Sequence, residues 1–365
     1  MNRSEVRLPS AAKSFTVSAR IDRAMDARSR ERSQFLVVVR THYIDEELIK
    51  FVRRIESANC DIVIAAEEGK HECIVPADLR KVSLNAESLS RLRLFFKPNA
   101  ENTIGDAGWR CGDYSLYAAR EAFPDYPHYL LIEPDVEIRT ADLAQFMDRL
   151  ARQADRDFMA CNLRLAPKRW FWAKTMEAFG QPVWRCIFPF VWASAAALDL
   201  ALLRRQELSL RAASDETIAE HWPNDEAFVA TTLCNSSLQS ADFSQMAPQP
   251  YDESTVSFHR PFSRALLRSG RPDEKLYHPV LADEQFTRKA EKLLAVAASR
   301  KRLAAYHMFT PDFHAALRAE CGDEVARDFT RRLEAELRAI GRSRTILAGF
   351  LLARKLYHRV VPSAE

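Results

Sequence analysis

Short apolar runs separated by amphipathic stretches dominate the chain. Phe35-Leu36-Val37-Val38-Val39 is unbroken and rich in β-branched residues, the pattern of a parallel strand buried on both faces. The run stops at Arg40-Thr41-His42. Beyond it Ile44, Leu48, Phe51, Val52 and Ile55 fall on one helical face, with Asp45 and Glu46 in the first turn, where the helix dipole favours acids. Asp61–Ala65 predicts a second strand and Arg93–Phe96 a third. A helix over Asp113–Phe123 then leads to a strand at Tyr129–Ile132. This β-α-β-β-α-β order predicts an α/β fold, a Rossmann-like mixed sheet that is mostly parallel and flanked by helices.

Further along, the pattern predicts a helix at 141–153, a strand at Phe158–Cys161 and a helix near Asn224–Cys234. An aromatic cluster (Trp170, Phe171, Trp172, Phe179, Trp184, Phe188, Phe190, Trp192) lies between the last two and reads chiefly as packed core. Residues 240–283 are irregular and hold several prolines; from about 284 the pattern is helical. The expected organisation is a basic leader at 1–33, a main α/β domain at 34–283 and a helical C-terminal region at 284–365.

Composition narrows the chemistry. Nine glycines in 365 residues leave no P-loop and no GxGxxG turn, so any nucleotide is held without those cradles. Seven scattered cysteines form no CxxC pair, which argues against a zinc knuckle or a disulfide framework. The start lacks the apolar segment of a signal peptide, and no run approaches the ~18–20 apolar residues of a spanning helix. Together these predict a cytoplasmic protein. A net charge of +3 gives no reason to expect nucleic acid as a partner.

The candidate chemistry begins where the strand Tyr129–Ile132 runs into Glu133-Pro134-Asp135-Val136-Glu137. Ligands of open α/β sheets bind beyond the carboxyl ends of strands. In extended backbone the three alternating acids point to one side and call for a divalent cation with oxygen ligands. His221-Trp222-Pro223-Asn224-Asp225-Glu226 is the second feature, an acidic helix start after a chain-breaking Trp-Pro.

These segments, in this order, resemble the GT-A glycosyltransferases. Tyr-Leu-Leu-Ile-Glu-Pro-Asp-Val looks like a variant of their acidic metal motif, with Asp135 in the metal slot and Glu133 where many members carry Asp. The resemblance implies a nucleotide-sugar donor, Mn2+ or Mg2+ as cofactor, and a glycan or glycolipid acceptor. Gly108-Trp109-Arg110-Cys111-Gly112-Asp113 resembles the stretch that lines the nucleotide pocket, making Arg110 and Asp113 donor-site candidates beside Arg40, Thr41 and Glu133. Asp225 is the expected general base, with Glu226 second, and Trp222 is expected against the acceptor. His278 resembles the late histidine that completes the metal shell, and His259 is its competitor. Other readings of the pattern are a sugar-1-phosphate nucleotidyltransferase and a non-catalytic membrane scaffold. The cations and short apolar core of residues 338–359 suggest a helix lying on a membrane surface.

Overall fold

The structure is a computed structural model that describes residues 34–176, 179–258, 260–300 and 306–340. The leader at 1–33, His259 and the basic stretch beyond Ile340 lie outside the described residues. Eleven strands are described: β1 (Phe35–Thr41), β2 (Asp61–Glu67), β3 (Lys81–Leu84), β4 (His128–Ile132), β5 (Glu137–Arg139), β6 (Phe158–Leu165), β7 (Trp184–Ser194), β8 (Ser240–Asp242), β9 (Phe262–Ser263), β10 (Lys275–Tyr277) and β11 (Val280–Leu281). The helices are α1 (Glu46–Glu56), α2 (Ala86–Arg91), α3 (Ala107–Arg110), α4 (Asp113–Ala122), α5 (Leu143–Ala151), α6 (Ala173–Met176), α7 (Ala195–Ala212), α8 (Glu216–Glu220), α9 (Asp225–Cys234), α10 (Arg264–Ser269), α11 (Asp283–Arg300) and α12 (Pro311–Ile340).

Seven strands form one sheet in the order β3-β2-β1-β4-β7-β6-β8. β3, β2, β1 and β4 are mutually parallel, β7 runs antiparallel to both β4 and β6, and β8 is parallel to β6. Alternate residues of each central strand feed opposite faces. Leu36, Val38, Tyr129 and Leu131 pack with Leu116 and Tyr117 of α4, Leu198 of α7 and Phe228 of α9. Val37, Val39, Leu130 and Ile132 pack with Leu48, Val52 and Ile55 of α1 and Phe146 of α5. Each such side chain contributes roughly 1.5–3 kcal/mol when fully buried. A third cluster joins Phe286, Leu293 and Leu294 of α11 to Phe313, Leu317 and Phe329 of α12. Gly322, at φ 81°, interrupts α12 in a conformation that only glycine adopts without strain. No helix among the described residues is long and apolar enough to cross a membrane.

Several expectations about elements are corrected, among them the irregular reading of 240–283, which holds β8, β9, α10, β10 and β11. Arg93–Phe96 is not a strand: Arg93 has φ 56°, and the Leu94 amide turns back to the Leu89 carbonyl at 2.9 Å. The third strand is Lys81–Leu84, a half-buried edge whose alternation is too short to stand out. The sequence reading also assigned no strand to Trp184–Ser194 and no helix to Ala195–Ala212.

Candidate active site

β1 lies between β2 and β4, so three parallel strand ends open side by side. β1 ends in Arg40-Thr41, β2 ends in Glu67, and Glu133 follows β4. Arg40 is buried among them. Its Nε donates to Glu67 Oε1 at 2.6 Å, and its terminal nitrogens donate to the Glu133 carboxylate and the Gly108 carbonyl. Burial opposes charge on this guanidinium, but Glu67, Glu133 and Asp225 outweigh it and hold the group above its ordinary range. Thr41 is buried as well, and its hydroxyl donates to the Tyr43 carbonyl at 2.7 Å.

After β4 the backbone turns instead of staying extended, with the Val136 amide donating to the Glu133 carbonyl at 3.0 Å. Glu137 therefore leaves the group and pairs with Arg54 on the α1 side. Asp135 is met instead by His278. β10 pairs antiparallel with β5, setting Tyr277 opposite Glu137, and the Val280 amide donates to the Asp135 carbonyl at 2.7 Å. One ligand atom each from Glu133, Asp135 and His278 lie within 4.8 Å of one another, a group able to hold a metal ion. His278 Nδ1 is 3.1 Å from the Ser257 carbonyl, which can only accept, so Nδ1 carries the proton. When the ring is neutral, its Nε2 lone pair faces Asp135 Oδ2, 3.5 Å away.

Burial works against charge on both residues. Their mutual attraction prevails, raising His278 and lowering Asp135. Asp135 Oδ1 is buried and has no hydrogen-bond partner. A buried carboxylate oxygen without a donor is costly, and a divalent cation would satisfy it. Two carboxylates and one imidazole suit a first-row ion such as Mn2+.

The start of α9 closes the site from another side. Asn224 caps the helix, accepting from the Ala227 amide at 3.1 Å. Asp225 Oδ2 accepts from the Gly112 amide at 2.8 Å, and Oδ1 accepts from the Glu226 amide at 2.7 Å. A Cβ on Gly112 would come within 2.7 Å of both an Arg40 nitrogen and Asp225 Oδ2, so glycine here lets both side chains approach and a larger residue would push them aside. Burial pushes the Asp225 carboxyl up to about 7 against the pull of Arg40, with Asp113 adding like-charge repulsion. Glu226 is raised too, by burial first and by Asp225 second. It is half-buried, and it engages only Oε2, which accepts from Asn224 Nδ2 at 3.1 Å.

The other candidates fall differently. Asp113, expected at the donor, is 1% exposed and bound by both oxygens to Arg205, at 2.8 and 3.2 Å. Arg205 has no exposed surface, donates also to the Pro223 carbonyl at 3.0 Å, and lies 3.8 Å from the centre of the Phe228 ring. Asp113 is thus a buried counter-charge with no oxygen turned to a ligand. Trp222, expected against an acceptor, is 3% exposed and packs on Phe95 and the Arg205 guanidinium. Arg110 pairs with Asp106 at 2.6 Å and, with Trp222, Phe95 and Lys97, lines a cavity of about 230 Å³.

The structure therefore brings Arg40, Glu133, Asp135, Asp225, Glu226 and His278 to one region and leaves Asp113 and Trp222 in the packing beneath it. Sequence reasoning missed Glu67 and Arg205. Glu67 carried a usable signal, since it ends an apolar strand just as Glu133 follows one.

No protein-family model matches the chain, and no curated protein does. Among solved structures, the chain is similar to a glycosyltransferase involved in glycosylation of the major capsid of PBCV-1, with 9% identity, TM-score 0.33, and 67% of this chain and 91% of that one covered. It is also similar to core-mannan synthase A from Aspergillus fumigatus in an Mn/GDP form, with 11% identity, TM-score 0.37, and 60% of this chain and 75% of that one covered. At these identities and scores neither likeness says what this chain does.

Proposed function

We propose that the chain is a metal-dependent glycosyltransferase of the GT-A type, moving a sugar from a nucleoside-diphosphate sugar, in our reading a UDP-sugar, to a glycan or lipid-linked acceptor. The observation that carries this reading is the Glu133–Asp135–His278 group beyond β4, with a buried Asp135 oxygen that no donor satisfies. Asp135 and His278 are the residues that would hold the cation, with Glu133 beside them. When bound, Mn2+ or Mg2+ offsets the charge that grows on the leaving diphosphate.

The chain's own groups supply the rest. Arg40 holds Glu133 in place through their ion pair. Arg110 can exchange its surface partner Asp106 for a donor phosphate, because such pairs contribute little in water. The acceptor hydroxyl loses a proton as the glycosidic bond forms, and a carboxylate made more basic by burial suits that transfer. Asp225 has both oxygens engaged, whereas Glu226 keeps Oε1 open. We therefore assign the proton to Glu226, and to Asp225 the task of fixing the Gly112 loop.

Thermal unfolding with a panel of nucleoside diphosphates, with and without Mn2+, tests the reading. The wild type should gain stability only when nucleotide and metal are both present, and Asp135→Ala should lose that gain. Absence of any metal-dependent shift in the wild type would remove the transferase proposal.

A further inference from the structure

We propose that the stretch Leu165–Lys174, together with Trp109, docks the protein on an anionic lipid surface. Trp109 and Phe171 are each 70% exposed, and they are the only exposed tryptophan and the only exposed phenylalanine among the described residues. They come from segments some sixty residues apart in sequence and meet on the same ring: Trp172 lies 6.4 Å from Trp109 and 4.8 Å from Phe171. Leu165, at the end of β6, is a further 57% exposed. Apolar surface of this kind, gathered instead of scattered, marks a place where something else binds.

Charge identifies the occupant. From Leu165 to Met176 the sequence holds Lys168, Arg169 and Lys174 and no acid, the first acid being Glu177; Arg164 just before is paired with Glu253. Lys168, Arg169 and Lys174 are exposed, and none forms an ion pair among the described residues. Aromatic rings and arginine are common at protein interfaces but lysine is depleted there, so the exposed lysines flanking these rings in sequence are what speak against a protein partner. Rings and cations together make the pattern of a membrane surface. They fit a bilayer surface well, where indole and phenyl rings sit at headgroup depth and cations meet lipid phosphates. A nucleic acid would ask for a wider basic face than a net charge of +3 provides.

The patch is tied to the fold. The Ala166 amide donates to Val183 at 2.8 Å, the Trp170 amide to Pro167 at 2.8 Å, and the Ala173 amide to Trp170 at 3.0 Å, while Ala173 and Met176 are buried as anchors. The Arg110 guanidinium lies 5.6 Å from the Trp172 ring centre and steadies it. Trp109 also sits between Gly108, whose carbonyl Arg40 holds, and Gly112, whose amide Asp225 holds. Docking through Trp109 would bring the candidate site to the lipid face.

The test is co-sedimentation of the full chain with vesicles of phosphatidylcholine plus phosphatidylglycerol, against phosphatidylcholine alone. The wild type should bind the anionic vesicles, and salt should weaken it. Each basic residue at a charged surface changes affinity by about fivefold, so Lys168→Glu/Arg169→Glu should weaken binding by about twentyfold or more. Trp109→Ser/Phe171→Ser should weaken it by about tenfold or more, with circular dichroism unchanged in both. Tryptophan emission of the wild type should be quenched by brominated lipid, and Trp109→Phe should bind yet lose part of the quenching, the remainder coming from Trp170 and Trp172. Failure of the wild type to bind anionic vesicles overturns the proposal. So does binding that persists in both double variants, whichever other segment causes it. Displacement of the vesicles by polyuridylate, with loss of polyuridylate binding in the aromatic variant, would make the patch a nucleic-acid surface and overturn it equally.

Discussion

Asp225 and Glu226 are neighbours in sequence with unequal freedom, and substitution should separate them. Glu226→Gln keeps the Asn224 contact and removes only the proton acceptor, so nucleotide binding in Mn2+ should persist while transfer falls by about 10²-fold or more. Asp225→Asn instead disturbs the Gly112 contact, and it should raise KM for the donor as well as lower kcat. Steady-state kinetics for both substrates distinguish the two patterns. The pH dependence follows from direction. Both carboxyls are raised, Asp225 to about 7, so the pair gives up its protons late and the base form gains population as pH rises. The rate at low substrate should therefore rise with pH, and a cation beside Glu133 would draw that rise toward lower pH. Glu226→Gln should flatten that limb.

Among the elements, Arg205 of α7 ties together the starts of α4 and α9. From α7 it binds Asp113, the residue after Gly112, and the Pro223 carbonyl, two residues before Asp225. Arg205→Met leaves the Asp113 charge buried and unpaired, which costs about 3–5 kcal/mol. Urea unfolding should show that loss, and Arg205→Met/Asp113→Leu should recover most of it. None of this was legible, because α7 carries leucine and alanine on most of its faces and shows no clear stripe. β7 escaped for another reason. Pro189 argues against a central strand, yet here the register with β6 jumps from Ala160↔Val191 to Cys161↔Ile187, so the proline falls in a bulge where no ladder amide is needed. β1 and β4 were readable because burial on both faces writes them as unbroken apolar runs. Leu94-Phe95-Phe96 imitated such a run while serving as a packed turn, its Phe95 amide held by Ser209 at 2.9 Å.

Over the whole molecule, the candidate site mixes near and far contributions, and only the near ones announce themselves. Asp135 follows an apolar strand and is visible locally. His278 stands 143 positions further on, and a resemblance, not a pattern, singled it out. Its position depends on the C-terminal helices. Glu320 of α12 accepts from the Ala265 amide at 2.7 Å and the Asp283 amide at 3.3 Å, and it also holds the Ser263 hydroxyl of β9. β9 pairs in parallel with β11, setting Phe262 against Val280, and Val280 in turn donates to Asp135. Glu320→Ala leaves those donors without their acceptor, at a cost of about 1–3 kcal/mol to the local structure. The Mn2+ concentration that half-saturates the nucleotide-dependent thermal shift should then rise several-fold, while Asp225 and its Gly112 contact stay as they are. A Glu320→Ala protein that unfolds earlier but takes up metal as the wild type does would show that α12 supports stability alone. A shifted metal requirement would show that the metal site reaches from the sheet edge into the C-terminal helices.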